Sequence, residues 1–431
     1  MTPTARHGEV TGGPVPDGPS REPFDVESIR KDFPLLAKTV HGRPIVYLDS
    51  AATALQPRHV LNAMEQYYEA THANVHRGVY ATAEEATHRY EDARTVVGRF
   101  IGAPDPAREV VFTKNATESL NLVAHSWARS NLQRGDAVLL TEMEHHANIV
   151  PWLTLAEERG VELRYLPIDD AGRLDLSDLD RMLDGVRLVG VTAMSNVLGT
   201  INPLADIAAA AHAAGAVVVA DGAQSVPHLP VDVGSLGVDF LAFSAHKMLG
   251  PTGIGVLWGR AELLDAMPPF LGGGGMILDV RTDRFIPAEP PQRFEAGTPP
   301  IAEAVGVAAA VEYLEGVGME RLRDHERVLT GYALDAIADR LGDDCRVFGP
   351  PAGEDRGGVL SLAYRDVHPH DLAQVLDQFA VCVRPGHHCA KPLMRRLGVQ
   401  ATARASVGLY NDEHDIDVLI EGLTEAGRLF G

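Results

Sequence analysis

Short strand-like runs alternate with longer amphipathic stretches through the middle of the chain. The runs are Glu109–Phe112, Ala137–Leu140, Val161–Leu166, Arg187–Ala193, Val217–Ala220 and Phe240–Phe243. Runs of this length are typical of buried strands, and the stretches between them predict helices. This alternation favours a mostly parallel sheet that is covered by helices on both faces. Ligands of such sheets bind beyond the carboxyl ends of the strands.

The flanking segments have different patterns. Residues 24–100 are mainly helical, with a short extended piece at Pro44–Leu48 that leads into a turn of small residues, Asp49–Ala52. After loop-like stretches near residues 272–275 and 287–291, helices mix with separate strands. These strands are predicted at Val359–Tyr364, Ala380–Arg384 and Arg404–Leu409, before a closing amphipathic helix from Glu413.

These patterns predict a division of the chain into parts. We expect residues 1–23 to form a disordered tail and residues 24–45 to form an N-terminal segment that packs on a small domain. Residues 46–300 would form a large domain, and residues 301–431 a smaller C-terminal α+β domain.

Composition narrows the class of protein. The chain has 431 residues, of which 45% are hydrophobic, so it can bury a large core. The first 23 residues are rich in Gly, Pro and Thr and lack the apolar stretch of a secretory signal. The apolar segment Ile207–Ala220 contains His212 and Gly215 and is too short to cross a bilayer. Three cysteines suggest no disulfide framework, and we expect a soluble, cytoplasmic protein without a membrane partner.

The charge pattern argues against polyanionic partners. Lysine and arginine total 38 against 59 acidic residues, which gives a formal net charge of -21. Such a charge repels nucleic acid, so a small substrate or a protein is the expected partner. The only lysines are Lys31, Lys38, Lys114, Lys247 and Lys391.

Two predicted strands end in groups suited to an aldehyde cofactor. Asp221 follows the strand Val217–Ala220, and Lys247 follows Phe240–Phe243. Only a neutral amine attacks an aldehyde, and burial lowers the pKa of a lysine. A carboxylate ~3 Å from a cofactor's ring nitrogen would stabilise its protonated form by on the order of 5 kcal/mol at an effective dielectric of ~20. His145, after another strand, is placed to stack on the ring, whereas Asp221 taken alone also fits a simple helix cap.

A third strand end is suited to a phosphate group. The strand Glu109–Phe112 leads into a helix that starts at Asn115–Glu118. Backbone donors at a helix N-terminus, with nearby hydroxyl groups, bind phosphate. Thr117 is placed as such a ligand, and Ser244 and His246 converge from the strand of the lysine. Taken alone, Thr117 equally fits a plain capping residue.

Six motifs occur in one order along the chain. They are Thr117 with Glu118, Met143–Asn148, Asp221–Gln224, Ser244–Lys247, Phe294–Pro299 and Arg384–Cys389. Each motif is weak alone, but the ordered set resembles the class V aminotransferase fold, and specifically the SufS-like (group II) cysteine desulfurases. The match runs from about Phe24 to the C-terminus. The resemblance implies an α/β protein with the fold type I of pyridoxal 5′-phosphate (PLP) enzymes, built on a mostly parallel, seven-stranded-type sheet.

The resemblance also implies roles for the cofactor-site residues. Lys247 would form the Schiff base with PLP, and Asp221 would lie at the pyridine nitrogen. Gln224 would lie near the ring oxygen, with His145 stacked on the ring as a catalytic residue. The implied phosphate ligands are Thr117, Ser244 and His246.

One implied phosphate ligand comes from a second subunit. In the family, the threonine of the Phe294–Pro299 motif reaches the phosphate of the neighbouring subunit, so Thr298 implies a homodimer. Ala116 departs from the family pattern, since relatives often carry a second threonine there, and one hydrogen bond to the phosphate is expected to be missing.

Cys389 is the candidate nucleophile for removing sulfur from L-cysteine. An ordinary thiol is only ~10% ionised near pH 7.5, and we expect His387, His388 and Arg384 to raise that fraction. Attack would leave a persulfide on Cys389 and release alanine. A buried, inert cysteine is the alternative, but the adjacent glycine and paired histidines favour reactivity. Three adjacent residues cannot all face one tetrahedral ion, so we predict no metal site.

The other two cysteines have no predicted catalytic role. Cys382 falls in an apolar strand and is expected in the core, and Cys345 is expected in a polar loop.

Arginines are the expected ligands of the substrate carboxylate. The planar guanidinium group offers two donors to a carboxylate, which an amine does not. Arg404 matches the carboxylate-binding arginine of the family, with Asn196 beside it and Arg384 as a second contact. The short segment after Cys389 resembles that of group II members. The resemblance therefore implies that a SufE-like or SufU-like sulfur acceptor approaches Cys389 and feeds iron-sulfur cluster assembly.

Three other functions fit the same motifs. Selenocysteine lyases share them and differ in their preference between cysteine and selenocysteine. A class V aminotransferase would need no nucleophilic cysteine, and a PLP-binding scaffold without activity would release neither sulfide nor alanine.

Overall fold

The computed structural model describes residues 24–430, so the tail predicted at residues 1–23 lies outside the described residues. The strands are β1 Thr39–Val40, β2 Arg43–Pro44, β3 Val46–Tyr47, β4 Val110–Thr113, β5 Ala137–Thr141, β6 Glu162–Leu166, β7 Val186–Thr192, β8 Val217–Asp221, β9 Phe240–Ser244, β10 Gly255–Gly259, β11 Ile277–Val280, β12 Phe285–Pro287, β13 Cys345–Phe348, β14 Val359–Tyr364, β15 Val381–Cys382, β16 Arg384–Gly386 and β17 Thr402–Ser406.

Helices connect and flank these strands. They are α1 Val26–Lys31, α2 Arg58–Ala70, α3 Ala81–Phe100, α4 Pro106–Glu109, α5 Ala116–Leu122, α6 Arg129–Asn131, α7 Val150–Arg159, α8 Leu179–Met182, α9 Leu204–Ala213, α10 Val233–Leu236, α11 Ala261–Ala266, α12 Ile301–Val317, α13 Met319–Leu341, α14 Pro369–Gln378, α15 Lys391–Arg396 and α16 Glu413–Phe430. A π-helical segment, Val123–Ala128, joins α5 to α6 without a break. Within residues 24–430, no helix combines the length and apolar composition needed to cross a membrane.

The predicted seven-stranded, mostly parallel sheet is present. Its strand order is β4-β10-β9-β8-β7-β5-β6, and β10 is antiparallel to both of its neighbours. Sequence reasoning missed β10. Its Gly255 lies against the turn before α5, where an added Cβ would be 2.4 Å from the Cα of Asn115. This close approach requires a glycine and brings the start of α5 to the end of β9.

Alternate residues of each central strand enter two different cores. In β8, Val218 and Ala220 pack in one core with residues of α3, α9 and α12, whereas Val219 packs in the other with residues of α5 and α7. This period of two is that of a strand with both faces buried. The helices therefore cover both faces, as predicted, and the polar ends of β5, β7, β8 and β9 meet at one edge.

A second, antiparallel sheet carries the C-terminal part of the chain. Its order is β13-β14-β17-β16, and its core receives α13, α14 and α16. The single strand predicted at residues 380–384 is divided: β15 pairs with β3, and β16 pairs with β17. The prediction that Cys345 lies in a polar loop is wrong, because Cys345 is the first residue of β13 and is buried. Cys382 lies in β15, as expected, but is only half-buried.

The N-terminal segment touches the C-terminal part of the chain. The Phe24 ring stacks on His325 of α13 with a centroid distance of 4.3 Å, and Arg30 donates to Asp415 of α16 at 2.9 Å. Helix α12 packs with α2 and α3 in the core of the large sheet. The domain boundaries at residues 45 and 300 stay a prediction.

A buried ion pair ties the 294–299 motif to the large sheet. Arg94 is fully buried and donates to both carboxylate oxygens of Glu295, at 2.7 and 2.9 Å. The same carboxylate accepts the Tyr90 hydroxyl and the backbone N–H of Phe112. The ion pair thus holds the motif on β4.

We expect Arg94→Met to lower the free energy of unfolding by about 3–5 kcal/mol, because it leaves the Glu295 carboxylate buried without its cation. Urea denaturation of the holoenzyme measures this. The exposed pair of Arg108 with Asp265 provides the control, since Arg108→Met should cost less than about 1 kcal/mol. Equal losses in the two variants would show that the Arg94 pair has no special structural role.

Candidate active site

A cavity of about 300 Å³ opens at the carboxyl edge of the large sheet. It is lined by eleven of the predicted site residues, which are Thr117, His145, Asn196, Asp221, Gln224, Ser244, His246, Lys247, Arg384, Cys389 and Arg404. These residues come from the ends of strands of the large sheet and from the C-terminal sheet. The fold thus brings the amine of Lys247 and the thiol of Cys389 to one cavity.

Backbone and hydroxyl donors meet where α5 begins. Asn115 caps α5 by accepting the N–H of Glu118 at 3.0 Å. The backbone N–H of Ala116 donates to the hydroxyl oxygen of Ser244 at 2.9 Å, which leaves the hydroxyl proton of Ser244 free to donate. The Ser244 hydroxyl, with Thr117 beside it at the start of α5, suits an anion such as phosphate. The position at which relatives carry a second threonine, Ala116, contributes its backbone to this arrangement.

Burial changes the pKa of the two central ionisable groups. Asp221 ends β8 and accepts the N–H of Ala223 at 3.0 Å; burial raises its pKa, although the charge of Lys247 opposes this. Burial also lowers the pKa of Lys247, against the attraction of Asp221. A lower pKa enlarges the neutral fraction of the amine, which is the nucleophilic form.

His145 is held as a neutral imidazole. Its Nδ1 accepts the backbone N–H of Ala147 at 3.1 Å, so the ring proton lies on Nε2. Burial, with smaller contributions from Lys247 and other cations, lowers its pKa to about 3. The ring therefore stays uncharged near pH 7.

The buried carboxyl group of Glu144, next to His145 in sequence, was not predicted as part of the site. Glu144 accepts the hydroxyl of Thr141, the N–H of Thr192 and the amide of Asn148, at 2.7, 2.8 and 2.7 Å. Burial raises its pKa to about 8. Glu144 thereby joins the ends of β5 and β7 to the His145 loop. Its place in the motif Met143–Asn148 was the available signal.

Gln224 and His246 are fixed by the turn after residue 49. The amide nitrogen of Gln224 donates to the carbonyl of Ala51 at 2.7 Å, and its Oε1 is buried without a hydrogen-bond partner among the described residues. The Nδ1 of His246 lies 3.3 Å from the hydroxyl of Thr53, and burial lowers the pKa of His246 to about 4.

Two arginines that line the cavity, Arg384 and Arg404, both pair with Asp49. Arg404 is buried and donates from Nη1 to the carbonyl of Asn196 at 3.0 Å, and Nη2 lies 3.5 Å from Asp49. Arg384 donates to both oxygens of Asp49, with a shortest distance of 2.8 Å. The Nε of Arg404 is buried and unpartnered among the described residues, which suits a ligand carboxylate. Asp49 was read only as part of a turn, so its role in orienting both arginines was missed.

The segment around Cys389 is held in a left-handed conformation. His388 and Cys389 have φ angles of 50° and 53°, which non-glycine residues rarely adopt. The side chain of Asn196 donates to the carbonyl of His388 at 2.8 Å, and the His388 ring lies 2.8 Å from the hydroxyl of Thr402. The thiol of Cys389 remains exposed.

The expectation that neighbouring cations raise the ionised fraction of the Cys389 thiol needs a correction. Burial lowers the pKa of His388 to about 3, so this ring is neutral near pH 7 and offers no positive charge. Arg384 pairs with Asp49, and it also interacts electrostatically with Cys389. The expectation is therefore wrong for His388, and for Arg384 it stays a prediction.

Thr298 lies apart from the other predicted site residues. It is exposed and lines other surface depressions, next to Gly297 and Pro299, and does not line the central cavity. Its predicted role concerns a neighbouring subunit.

The sequence relationships agree with this geometry. A family model described as Aminotransferase class-V matches residues 46–419. The chain belongs to the class V aminotransferase family. This family consists of PLP-dependent enzymes of fold type I, so the predicted fold class and cofactor are confirmed. The predicted resemblance is confirmed at this level, and the SufS-like subgroup stays a prediction.

Several class V aminotransferase relatives are similar over almost their whole length. A probable cysteine desulfurase of Streptomyces coelicolor is 50% identical, with 95% of this chain and 98% of the relative covered. A cysteine desulfurase of Haloferax volcanii is 46% identical, with the same coverage. The apo structure of the cysteine desulfurase from Thermococcus onnurineus superposes with a TM-score of 0.87 at 42% identity, covering 94% of this chain and 96% of that one. The cysteine desulfurase CsdA of Escherichia coli, in its S-sulfonic acid form, also has a TM-score of 0.87, at 40% identity, with 95% and 100% covered.

We expect Arg404→Lys to raise KM for an α-amino acid substrate about ten- to a hundredfold, because one charge-assisted hydrogen bond contributes about 1.5–3 kcal/mol. Steady-state kinetics of the holoenzyme measure this change. Arg187→Lys is the matched control, since Arg187 is exposed at the opposite end of β7. Unchanged KM in Arg404→Lys would contradict carboxylate binding at Arg404.

Proposed function

We propose that this chain is a cysteine desulfurase that converts L-cysteine to L-alanine and leaves the sulfur as a persulfide on Cys389. The observation that carries the proposal is the shared cavity, which Lys247 lines from the large sheet and Cys389 from the C-terminal part. An amine that can hold PLP and a thiol that can accept sulfur are the two groups that this reaction needs.

The residues that line the cavity are suited to bind PLP. The lysine amine of lowered pKa, the buried Asp221 and the hydroxyl of Ser244 are suited to an aldehyde, a ring nitrogen and a phosphate, respectively. The unpartnered Oε1 of Gln224 marks a further polar position on the cavity wall. When bound, PLP supplies an electron sink for the charge that develops as the substrate loses its α-proton.

Arg404 and Asn196 would orient the substrate. The free Nε of Arg404 would bind the carboxylate of L-cysteine, with Asp49 keeping the guanidinium group in place. The Nδ1 of His145 is occupied by the N–H of Ala147, so this nitrogen would not accept a proton from the substrate. We assign the neutral ring to packing on the cofactor and to hydrogen-bond donation from Nε2.

Sulfur transfer would occur at the thiolate of Cys389. The thiolate attacks the sulfur of the substrate, the carbon–sulfur bond breaks, and its electron pair stays on the substrate Cβ, which takes up a proton. The products are alanine and a persulfide on Cys389. Atoms and charge balance without an external oxidant or reductant.

The test is product analysis with the purified, PLP-loaded protein. Incubation with L-cysteine and a dithiol reductant should release alanine and sulfide in equal amounts. Transfer of the amino group to a keto acid without sulfide would favour an aminotransferase, and absence of all products would leave a PLP-binding scaffold. A much higher kcat/KM for selenocysteine than for cysteine would reassign the enzyme as a selenocysteine lyase.

The proposal includes two protein partners. Thr298 is exposed and lies outside the central cavity of its own subunit. This position supports a homodimer in which Thr298 reaches the phosphate of the second subunit. The exposed thiol lies on a segment that is held at several points, which supports an acceptor protein that approaches Cys389 instead of a loop that travels. The acceptor would be SufE-like or SufU-like and would supply iron-sulfur assembly in the cytoplasm.

A further inference from the structure

Two hydrogen bonds join His146 to the segment that carries the proposed nucleophile. The backbone N–H of His146 donates to the carbonyl of Cys389 at 2.7 Å. Its ring Nε2 accepts the backbone N–H of Lys391 at 3.0 Å. Lys391 is the first residue of α15, so its N–H has no acceptor within that helix. His146 therefore holds the residue of the thiol and caps the helix that follows it.

This double contact adds hydrogen bonds on the C-terminal side of the segment, where Ala390 and Leu393 are also buried in a hydrophobic cluster. Asn196 and Thr402 bind His388, on the N-terminal side of the thiol. The contacts of His146 are with Cys389 and Lys391. A residue with a positive φ, such as Cys389, keeps that conformation only when its surroundings determine it. The conformation of Cys389 therefore depends on contacts on both sides of this residue.

We propose that His146 is a positioning residue whose neutral ring keeps the Cys389 thiol at the cavity. Protonation of Nε2 would remove the acceptor of the Lys391 N–H and loosen the start of α15, whereas the backbone bond from His146 to Cys389 would remain. The inference rests on the proposed function, because it assigns His146 to the positioning of the nucleophile of that reaction.

The groups that face the His146 ring favour its neutral form. His387 lies on the nucleophile segment with its ring centroid 5.7 Å away, Lys391 lies beyond it, and His145 lies at 6.3 Å on the same loop as His146. All three are positive when protonated. Partial burial, together with the charges of His387 and Lys391, lowers the pKa of His146. The bond to Lys391 is therefore present at neutral pH and is lost as the pH falls through the pKa of the ring.

Two substitutions separate this role from simple space filling. His146→Leu keeps the backbone N–H but removes the ring acceptor. His146→Gln offers an amide oxygen at a similar reach and cannot be protonated. In His146→Leu we expect faster hydrogen exchange in the peptide that contains residues 387–396 and a five- to tenfold lower kcat, as for the loss of about one hydrogen bond. Cofactor absorbance and KM for L-cysteine should be unchanged.

His146→Gln should restore wild-type exchange and kcat at neutral pH and should retain activity to a lower pH than the wild type. His414→Leu is the control, because His414 is exposed on α16. Wild-type kcat and exchange in His146→Leu would overturn the proposal, as would a His146→Gln variant that is PLP-loaded but as impaired as His146→Leu.

The pH dependence of hydrogen exchange tests the two hydrogen bonds of His146 without relying on activity. After correction for the intrinsic exchange rate, protection of residues 387–396 should fall at acidic pH in the wild type and not in His146→Gln. Equal pH dependence in both proteins would overturn the proposal. If the wild type forms no alanine from L-cysteine, the proposed function fails. The exchange result still reports separately on the hydrogen bonds of His146 to Cys389 and Lys391.

Discussion

Replacement of Lys247 by alanine should remove both the visible absorbance of bound PLP and the formation of alanine from L-cysteine. Lys247 is the lysine that lines the cavity, and burial lowers its pKa, so a neutral amine is available to the aldehyde of the cofactor. Without that amine we expect the rate to fall about a thousandfold or more. Absorbance spectra of the purified protein and quantification of alanine measure the two effects.

The matched control is Lys38→Ala, because Lys38 is exposed and does not line the cavity. It should keep the absorbance and the activity of the wild type. A Lys247→Ala variant that is coloured and active would refute the assignment of Lys247, and with it the proposed use of the cavity. Circular dichroism of both variants checks that each is folded.

Cys389→Ser should separate cofactor binding from sulfur transfer. The serine hydroxyl stays protonated at neutral pH, whereas a thiol is partly ionised, so the variant lacks the nucleophile that takes the sulfur. We expect the PLP absorbance to remain and alanine formation to fall about a hundredfold or more. Mass spectrometry of the wild type after brief exposure to L-cysteine should find one additional sulfur atom on the peptide of Cys389.

Cys382→Ser is the control for this variant. Cys382 lies in β15, half-buried, and burial raises its thiol pKa, so it is mostly protonated at neutral pH. It should retain activity. Loss of activity in Cys382→Ser with full activity in Cys389→Ser would show that Cys382, and not Cys389, is the nucleophile.

The sequence by itself determined six of the seven strands of the large sheet and the chemistry at their ends. Runs such as Val217–Ala220 consist of consecutive apolar residues. A strand that is buried on both faces has this pattern, so it can be recognised from its own residues alone. Asp221 and Ser244 were placed at the carboxyl edge by the same reasoning, and β8 and β9 end at these residues. The order of the motifs was sufficient to predict the family.

Tertiary structure decided the elements whose partners are distant in sequence. The five-residue strand β10 carries glycine at both ends, and it is a strand because β4 and β9 flank it. Cys345 was expected in a loop, but it pairs with Tyr364 in the C-terminal sheet. Short segments have little intrinsic preference, so pairing and burial determine their conformation.

Ionisation and positioning were also decided only by the folded chain. His388 is adjacent to Cys389 in sequence, yet its burial near Thr402 makes it neutral. His146 lies far from Cys389 in sequence and supports it through two hydrogen bonds. A residue's type and its motif can be read from the sequence, but its charge and its contacts depend on desolvation and on neighbours that folding brings together.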